Sequence, residues 1–214
     1  KVITASKLFS SCQEQGLKMT PTEIQEGGPD LLARYAQVPI RFAVDSVLRV
    51  ETLDQGLGGL VMVEEKITSP YVKDYDSQAP DAGPLHWPRY FDVSRWRFFL
   101  ATEGERPLGG AALAMDTPGL NMLENRRDLA VLWDIRVHPD ARGRGIGTCL
   151  FRHAADRARQ LGYKQFKVET QNVNVAACRF YAAQGCTLGA IHRYAYAAFP
   201  NVAHETMLLW YLEL

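Results

Sequence analysis

The chain has little with which to cross a membrane, coordinate a metal or follow a nucleic acid. No apolar stretch approaches the roughly eighteen residues that a spanning helix needs. No run of Lys or Arg exceeds two residues, and 24 basic side chains are matched by 24 acidic ones. That balance removes the basic stripe of a nucleic-acid binder. The five histidines are scattered, and no Cys-x-x-Cys spacing links Cys12, Cys149, Cys178 and Cys186. No metal is therefore expected, and the cysteines read as thiols of a reducing, cytoplasmic compartment. The Lys1–Met19 stretch is polar and lacks the apolar core of a signal peptide. Residues 1–18 are set aside as a leader, with Met19 a natural start and 19–214 a single domain.

What the chain does have is concentrated in one segment, Asp134-Ile135-Arg136-Val137-His138-Pro139-Asp140-Ala141-Arg142-Gly143-Arg144-Gly145-Ile146-Gly147. It reads as a strand, a glycine-rich turn carrying two arginines, and a helix start. Backbone N–H groups at a helix start lack intrahelical partners, and the helix dipole favours negative charge there. Glycines let the backbone come close to phosphate oxygens, and Arg142 and Arg144 can add charge-assisted hydrogen bonds. The turn has no P-loop lysine, and glycines at 143, 145 and 147 have the wrong spacing for a dinucleotide-binding turn. An ordinary glycine-rich strand–helix turn remains the plain alternative.

Downstream, Ile146, Leu150, Phe151, Ala154, Ala158 and Leu161 recur at helical spacing, and Gly162 is placed to end the helix. Lys164–Thr170 alternates like a strand, and Asn174 can cap a second helix that Gly185 ends. With these residues the chain resembles the GNAT superfamily of N-acetyltransferases. The resemblance rests on Arg142-x-x-Gly145-x-Gly147, on Asn174 with Ala176 and Ala177, and on Phe180-Tyr181-Ala182-Ala183-Gln184-Gly185-Cys186. Cys186 stands where the family usually has an aromatic residue. Glu169-Thr170-Gln171-Asn172, together with Tyr196-Ala197-x-Phe199-x-Asn201 and Trp210-Tyr211-Leu212, is similar to the streptothricin acetyltransferases.

The resemblance implies an α/β fold with a mixed, mostly antiparallel central sheet, splayed parallel strands and helices on both faces. It also implies acetyl-CoA as co-substrate. Its pyrophosphate would lie on Arg142, Gly143, Arg144, Gly145, Ile146, Gly147 and Thr148. Its pantetheine arm would pair with the backbone of Ile135 and Val137, whose side chains read as core. Asn174 either bonds the arm or only caps its helix, and Tyr181 is placed to protonate the departing thiolate.

The remaining segments read as follows. Pro29–Gln37 suggests a short helix, and Val44–Glu51 and Leu60–Ile67 suggest strands around the Gly56–Gly59 turn. A loop then runs from Ser69 to Pro88. Arg95–Thr102 and Leu108–Met115 form a hairpin, Leu129–Val137 a buried strand, and Leu188–Tyr194 with Thr206–Leu212 the final pair. Met207–Tyr211 is apolar enough to be core or the seam of a homodimer.

Acetyl transfer needs a neutral amine, and at pH 7 only about one primary amine in a thousand is neutral. Asp134 and Glu169 are the candidate bases, with ordered water as the alternative. Asp134 could equally hold a substrate cation or pair with Arg136. Tyr71, Asp74, Tyr75 and Asp76 make an acidic, aromatic cluster suited to a cationic amine, or simply a solvated loop. Trp87 and Tyr90 suggest a lid. The expected partner is a small-molecule amine of streptothricin type, with a protein or peptide amine as alternative. A non-catalytic acyl-CoA-binding module on the same fold is the competing class.

Overall fold

In the computed structural model of the protein, residues 23–78 and 81–214 are described. The leader assigned to residues 1–18, and Cys12 with it, lies outside them. In chain order the elements are β1 (Glu23–Gly27), α1 (Leu32–Tyr35), β2 (Phe42–Thr52), β3 (Leu60–Lys73), α2 (Trp87–Tyr90), β4 (Arg97–Glu103) and β5 (Arg106–Ala114). They continue with β6 (Leu129–Val137), α3 (Ile146–Gln160), β7 (Gln165–Gln171), α4 (Val175–Ala183), β8 (Thr187–His192) and β9 (Met207–Glu213). These residues fall into two compact units. One holds the described residues up to Arg41, Asp74–Phe166 and Leu214; the other holds Phe42–Lys73 and Lys167–Glu213.

The first unit is built on the antiparallel order β1-β4-β5-β6. The centre of β5 is Gly109-Gly110-Ala111-Ala112, all buried. Successive residues of a strand face opposite sides, and here both sides are tightly covered. A Cβ on Gly109 would lie 3.0 Å from Ile146 and Leu150 of α3. One on Gly110 would lie 2.4 Å from the ring of Tyr35. One face thus carries α3, whose buried Ile146, Cys149, Leu150, Phe151, Ala154, Ala155 and Ala158 form a continuous stripe. The other face carries an aromatic layer of Tyr35, Trp87, Trp96, Phe98 and the half-buried Trp133. Its polar tip is satisfied: Trp96 Nε1 donates to Thr117 Oγ1 at 2.8 Å.

The second unit contains the β2–β3 antiparallel hairpin, α4, and β9 lying between β7 and β8. Asn172, at the end of β7, ties it together. Its backbone bonds Leu48 N and Thr206 O, while its side chain donates to Leu48 O at 3.0 Å and accepts from Thr206 N at 2.8 Å.

Three segments differ from the sequence expectation. β3 does not stop near Ile67 but runs to Lys73. The register jumps between the Val44↔Tyr71 and Ser46↔Lys66 pairs, so Pro70, which has no N–H to donate, sits in the irregularity. Trp87 is no lid: it is 7% exposed and packs edge-on against Tyr35 at 5.9 Å. Tyr90 is exposed and donates to Asp81 at 2.8 Å. Ile135 and Val137 are half-buried rather than core; the fully buried side chain at that end of β6 is Arg136.

Gly110→Ala should cost about 1–3 kcal/mol, the usual range for overpacking a filled core, because the added methyl meets a ring that is itself fully buried. Urea denaturation reads this directly. A loss within measurement error would mean that Tyr35 has room to move.

Candidate active site

In the first unit, β6 leads through a short 3-10 turn (Pro139–Ala141) into the glycine-rich segment. Gly143 and Gly145 adopt left-handed backbone, with φ of +76° and +80°. Gly145 is the N-cap of α3, and no side chain caps that helix. A fifteen-residue helix thus presents its first-turn N–H groups beside a residue with no side chain to obstruct them. This cradle fits a pyrophosphate. Arg142 is exposed, but its Nε donates to Val137 O at 3.1 Å and its Nη2 to Arg41 O at 2.6 Å. Burial of the head and the neighbouring Arg41 charge lower its pKa. Arg144 pairs with Glu103 at 2.8 Å. Ile146 is buried, while Gly147 and Thr148 are half-buried on the first turn.

Asp134 and Arg136 are two apart on β6 and therefore share a face. The Arg136 side chain is 1% exposed. It meets Asp134 through two parallel bonds of 2.8 Å and Asp76 through bonds of 2.7 and 3.2 Å. Its remaining N–H reaches Val38 O at 3.0 Å. All five guanidinium donors are thereby used. Burial works against the cation, but the Asp134 carboxylate outweighs it and raises the Arg136 pKa. The Tyr35 hydroxyl donates to Asp134 Oδ1 as well, and burial followed by the Asp134 charge raises its pKa well above the ordinary phenol value. Of the alternatives for Asp134, the pair with Arg136 is the one present. Two carboxylates face one guanidinium, which leaves one net negative charge. Asp134 is 8% exposed and Asp76 28%, so that charge surfaces at Asp76.

Of the acidic cluster, Asp74 accepts from Asp76 N at 3.1 Å and so caps the short turn Tyr75–Ser77. Tyr75 is half-buried there. Tyr71 lies on β3 in the second unit and is 42% exposed.

Also in the second unit, Glu169 is half-buried on β7. Its Oε1 accepts from the Tyr196 hydroxyl at 2.5 Å and from Gln171 Nε2 at 3.3 Å. Burial raises its pKa, outweighing the opposing hydrogen bonds of Tyr196 and Gln171 and the charge of Lys167. Asn174 caps α4 through Oδ1, which accepts from Ala177 N at 3.1 Å. Tyr181 is 5% exposed on α4, with its ring edge-on to Phe180 at 5.4 Å. Tyr35 and Tyr196 were not singled out as site residues from the sequence. Tyr196 lay inside a quoted motif, but nothing local marked its partner.

The sequence profile of the Acetyltransferase (GNAT) family matches residues 60–186, more than half of the chain. The chain belongs to the GNAT acetyltransferase family. Streptothricin acetyltransferase A of Bacillus subtilis (strain 168) is 28% identical to this acetyltransferase over 150 residues, 70% of this chain and 78% of its own. A streptothricin acetyltransferase of Escherichia coli is 28% identical over 184 residues, 86% of this chain and 91% of its own. A Bacillus anthracis protein assigned as a streptothricin acetyltransferase, solved with acetyl coenzyme A, superposes with a TM-score of 0.69 at 22% identity. The match covers 90% of this chain and 99% of that one. The fold is the GNAT fold expected from the sequence: a mixed sheet, mostly antiparallel with a parallel pair, and helices.

Arg136→Met in this acetyltransferase should cost about 3–5 kcal/mol, because it leaves the buried Asp134 charge unpaired. Denaturant unfolding is the measurement. A cost below about 1 kcal/mol, the worth of a surface pair, would show the network to be dispensable.

Proposed function

We propose that this acetyltransferase moves an acetyl group from acetyl-CoA to a primary amine of a small cationic molecule, an antibiotic of the streptothricin type. The observation that carries the reading is the similarity to two streptothricin acetyltransferases over 70% and 86% of the chain. In that setting the enzyme would inactivate the antibiotic and confer resistance. The partly exposed carboxylate of Asp76, bonded to Arg136 on its inner side, supports a cationic acceptor.

Acetyl-CoA supplies the activated thioester, and this chain's residues do the rest. The N–H groups of the Gly143–Thr148 turn hold the pyrophosphate, with Arg142 and Arg144 adding positive charge. The backbone of Ile135 and Val137 holds the amide-bearing arm. Asp76, with Asp74 and Tyr75, attracts the ammonium of the acceptor. Glu169 takes its proton, and a carboxyl whose pKa is raised by burial is better matched to that task than an exposed one. Asp134, engaged by Arg136 and Tyr35, orients Asp76 through the shared guanidinium rather than acting as base. Tyr181 gives a proton to the departing thiolate. Attack is direct. Burial pushes Cys178 to about 12 and Cys186 to about 11, which makes both poor nucleophiles for an acyl-enzyme route.

The test is release of free thiol from acetyl-CoA against streptothricin, aminoglycosides, polyamines and lysine peptides. Fast release with streptothricin supports the reading, and release with another amine alone replaces the substrate. Tyr181→Phe should lower turnover by roughly 100-fold, the lower end for losing a general acid, with acetyl-CoA affinity by calorimetry unchanged. Unaltered turnover removes Tyr181 from the mechanism.

A further inference from the structure

The segment between β8 and β9, residues 193–206, is a series of turns whose end is fixed within the second unit. Glu205 is 3% exposed and forms a two-oxygen ion pair with Lys73, itself 7% exposed, at the end of β3. Thr206 exchanges hydrogen bonds with Asn172 at the end of β7. So anchored, the segment brings the Tyr196 hydroxyl onto β7. There it accepts from Gln171 Nε2 at 2.8 Å and donates to Glu169 Oε1 at 2.5 Å. The amide, phenol and carboxylate form a directional chain in which each donor points toward Glu169.

We infer that Tyr196 is a positioning residue for Glu169: its hydroxyl fixes the carboxylate's orientation and holds it in the charged form that can accept a proton. This rests on the reading of Glu169 as the base. The physical case is one of opposed effects. Burial favours the neutral acid, which has no basic lone pair to offer at its protonated oxygen. A phenol donating to the carboxylate favours the anion, as do the Gln171 amide and the Lys167 ammonium on the same strand. Of these groups only Tyr196 comes from outside β7. The catalytic state of Glu169 therefore depends on the 193–206 segment being folded onto the strand.

The test is a carbon-13 NMR titration of the Glu169 carboxyl in the full chain, assigned by loss of its signal in Glu169→Gln. In Tyr196→Phe the midpoint should move to higher pH, since a bond to the charged form is lost while burial remains. The acid limb of kcat/KM should move with it, with KM for acetyl-CoA unchanged. Gln171→Leu removes the donor behind the phenol together with its own 3.3 Å bond to Glu169 Oε1, so the midpoint should rise there too; if Tyr196→Phe fails to fold, an unmoved midpoint in Gln171→Leu is the result that overturns the chain of donors. A midpoint unmoved in these variants overturns the role of Tyr196. If the midpoint moves but Glu169→Gln keeps full turnover, Glu169 is not the base, and both the mechanism and the positioning role fall at that step.

Discussion

A buried guanidinium organises the first unit. Arg136 can be 1% exposed only because each of its donors finds an acceptor, and those acceptors come from three separate stretches of chain. Asp134 lies on the same strand, Val38 follows α1, and Asp76 lies in the short turn after β3, while Tyr35 braces Asp134 from α1. Such networks are costly to break and contribute little to stability when intact, because the desolvation of each charge offsets the attraction. Their use lies in geometry: moving any member leaves a buried charge without its counterpart. The end of β6 and the loop that carries the acidic residues are held in one arrangement by this requirement.

That network also separates the two strand carboxylates by environment. Asp134 and Glu169 are both candidate bases in the sequence, each on a strand near the expected chemistry, and Asp134, between Trp133 and Ile135, is the better placed of the two there. Their surroundings separate them. Asp134 has both oxygens engaged by a fixed cation and one also by a phenol. Glu169 is bonded by two neutral donors, with the Lys167 charge opposing but not overcoming the burial that raises its pKa. Two groups of one chemical type thus meet different surroundings, and surroundings are what set the task a carboxylate can perform.

What the sequence disclosed followed the range of the interactions. The glycine-rich turn and the helix after it were legible because their signals are local: the glycines at 143 and 145, then the apolar stripe of α3, lie within one short segment. The strand Leu129–Val137 matched its apolar run residue for residue. The misreadings needed distant partners. Trp87 sits among prolines and looks like loop, and only Tyr35, Trp96 and Phe98 make it core. Asp76 looked like a free acid because Arg136 is sixty residues away. Tyr196 was visible as part of a motif, but its hydroxyl has meaning only against Glu169, 27 residues earlier.

The glycine pair in β5 has a consequence for how this chain can change. Gly110 is filled by the Tyr35 ring, and that ring carries the hydroxyl that braces Asp134. A larger residue at 110 is admissible only after position 35 has shrunk, yet shrinking 35 removes the brace before any compensation exists. Substitutions at the two positions are therefore ordered, and the first step in either order carries a penalty. Single-step drift is closed off at these two sites, so the contact constrains the route of sequence divergence as well as the shape of the core.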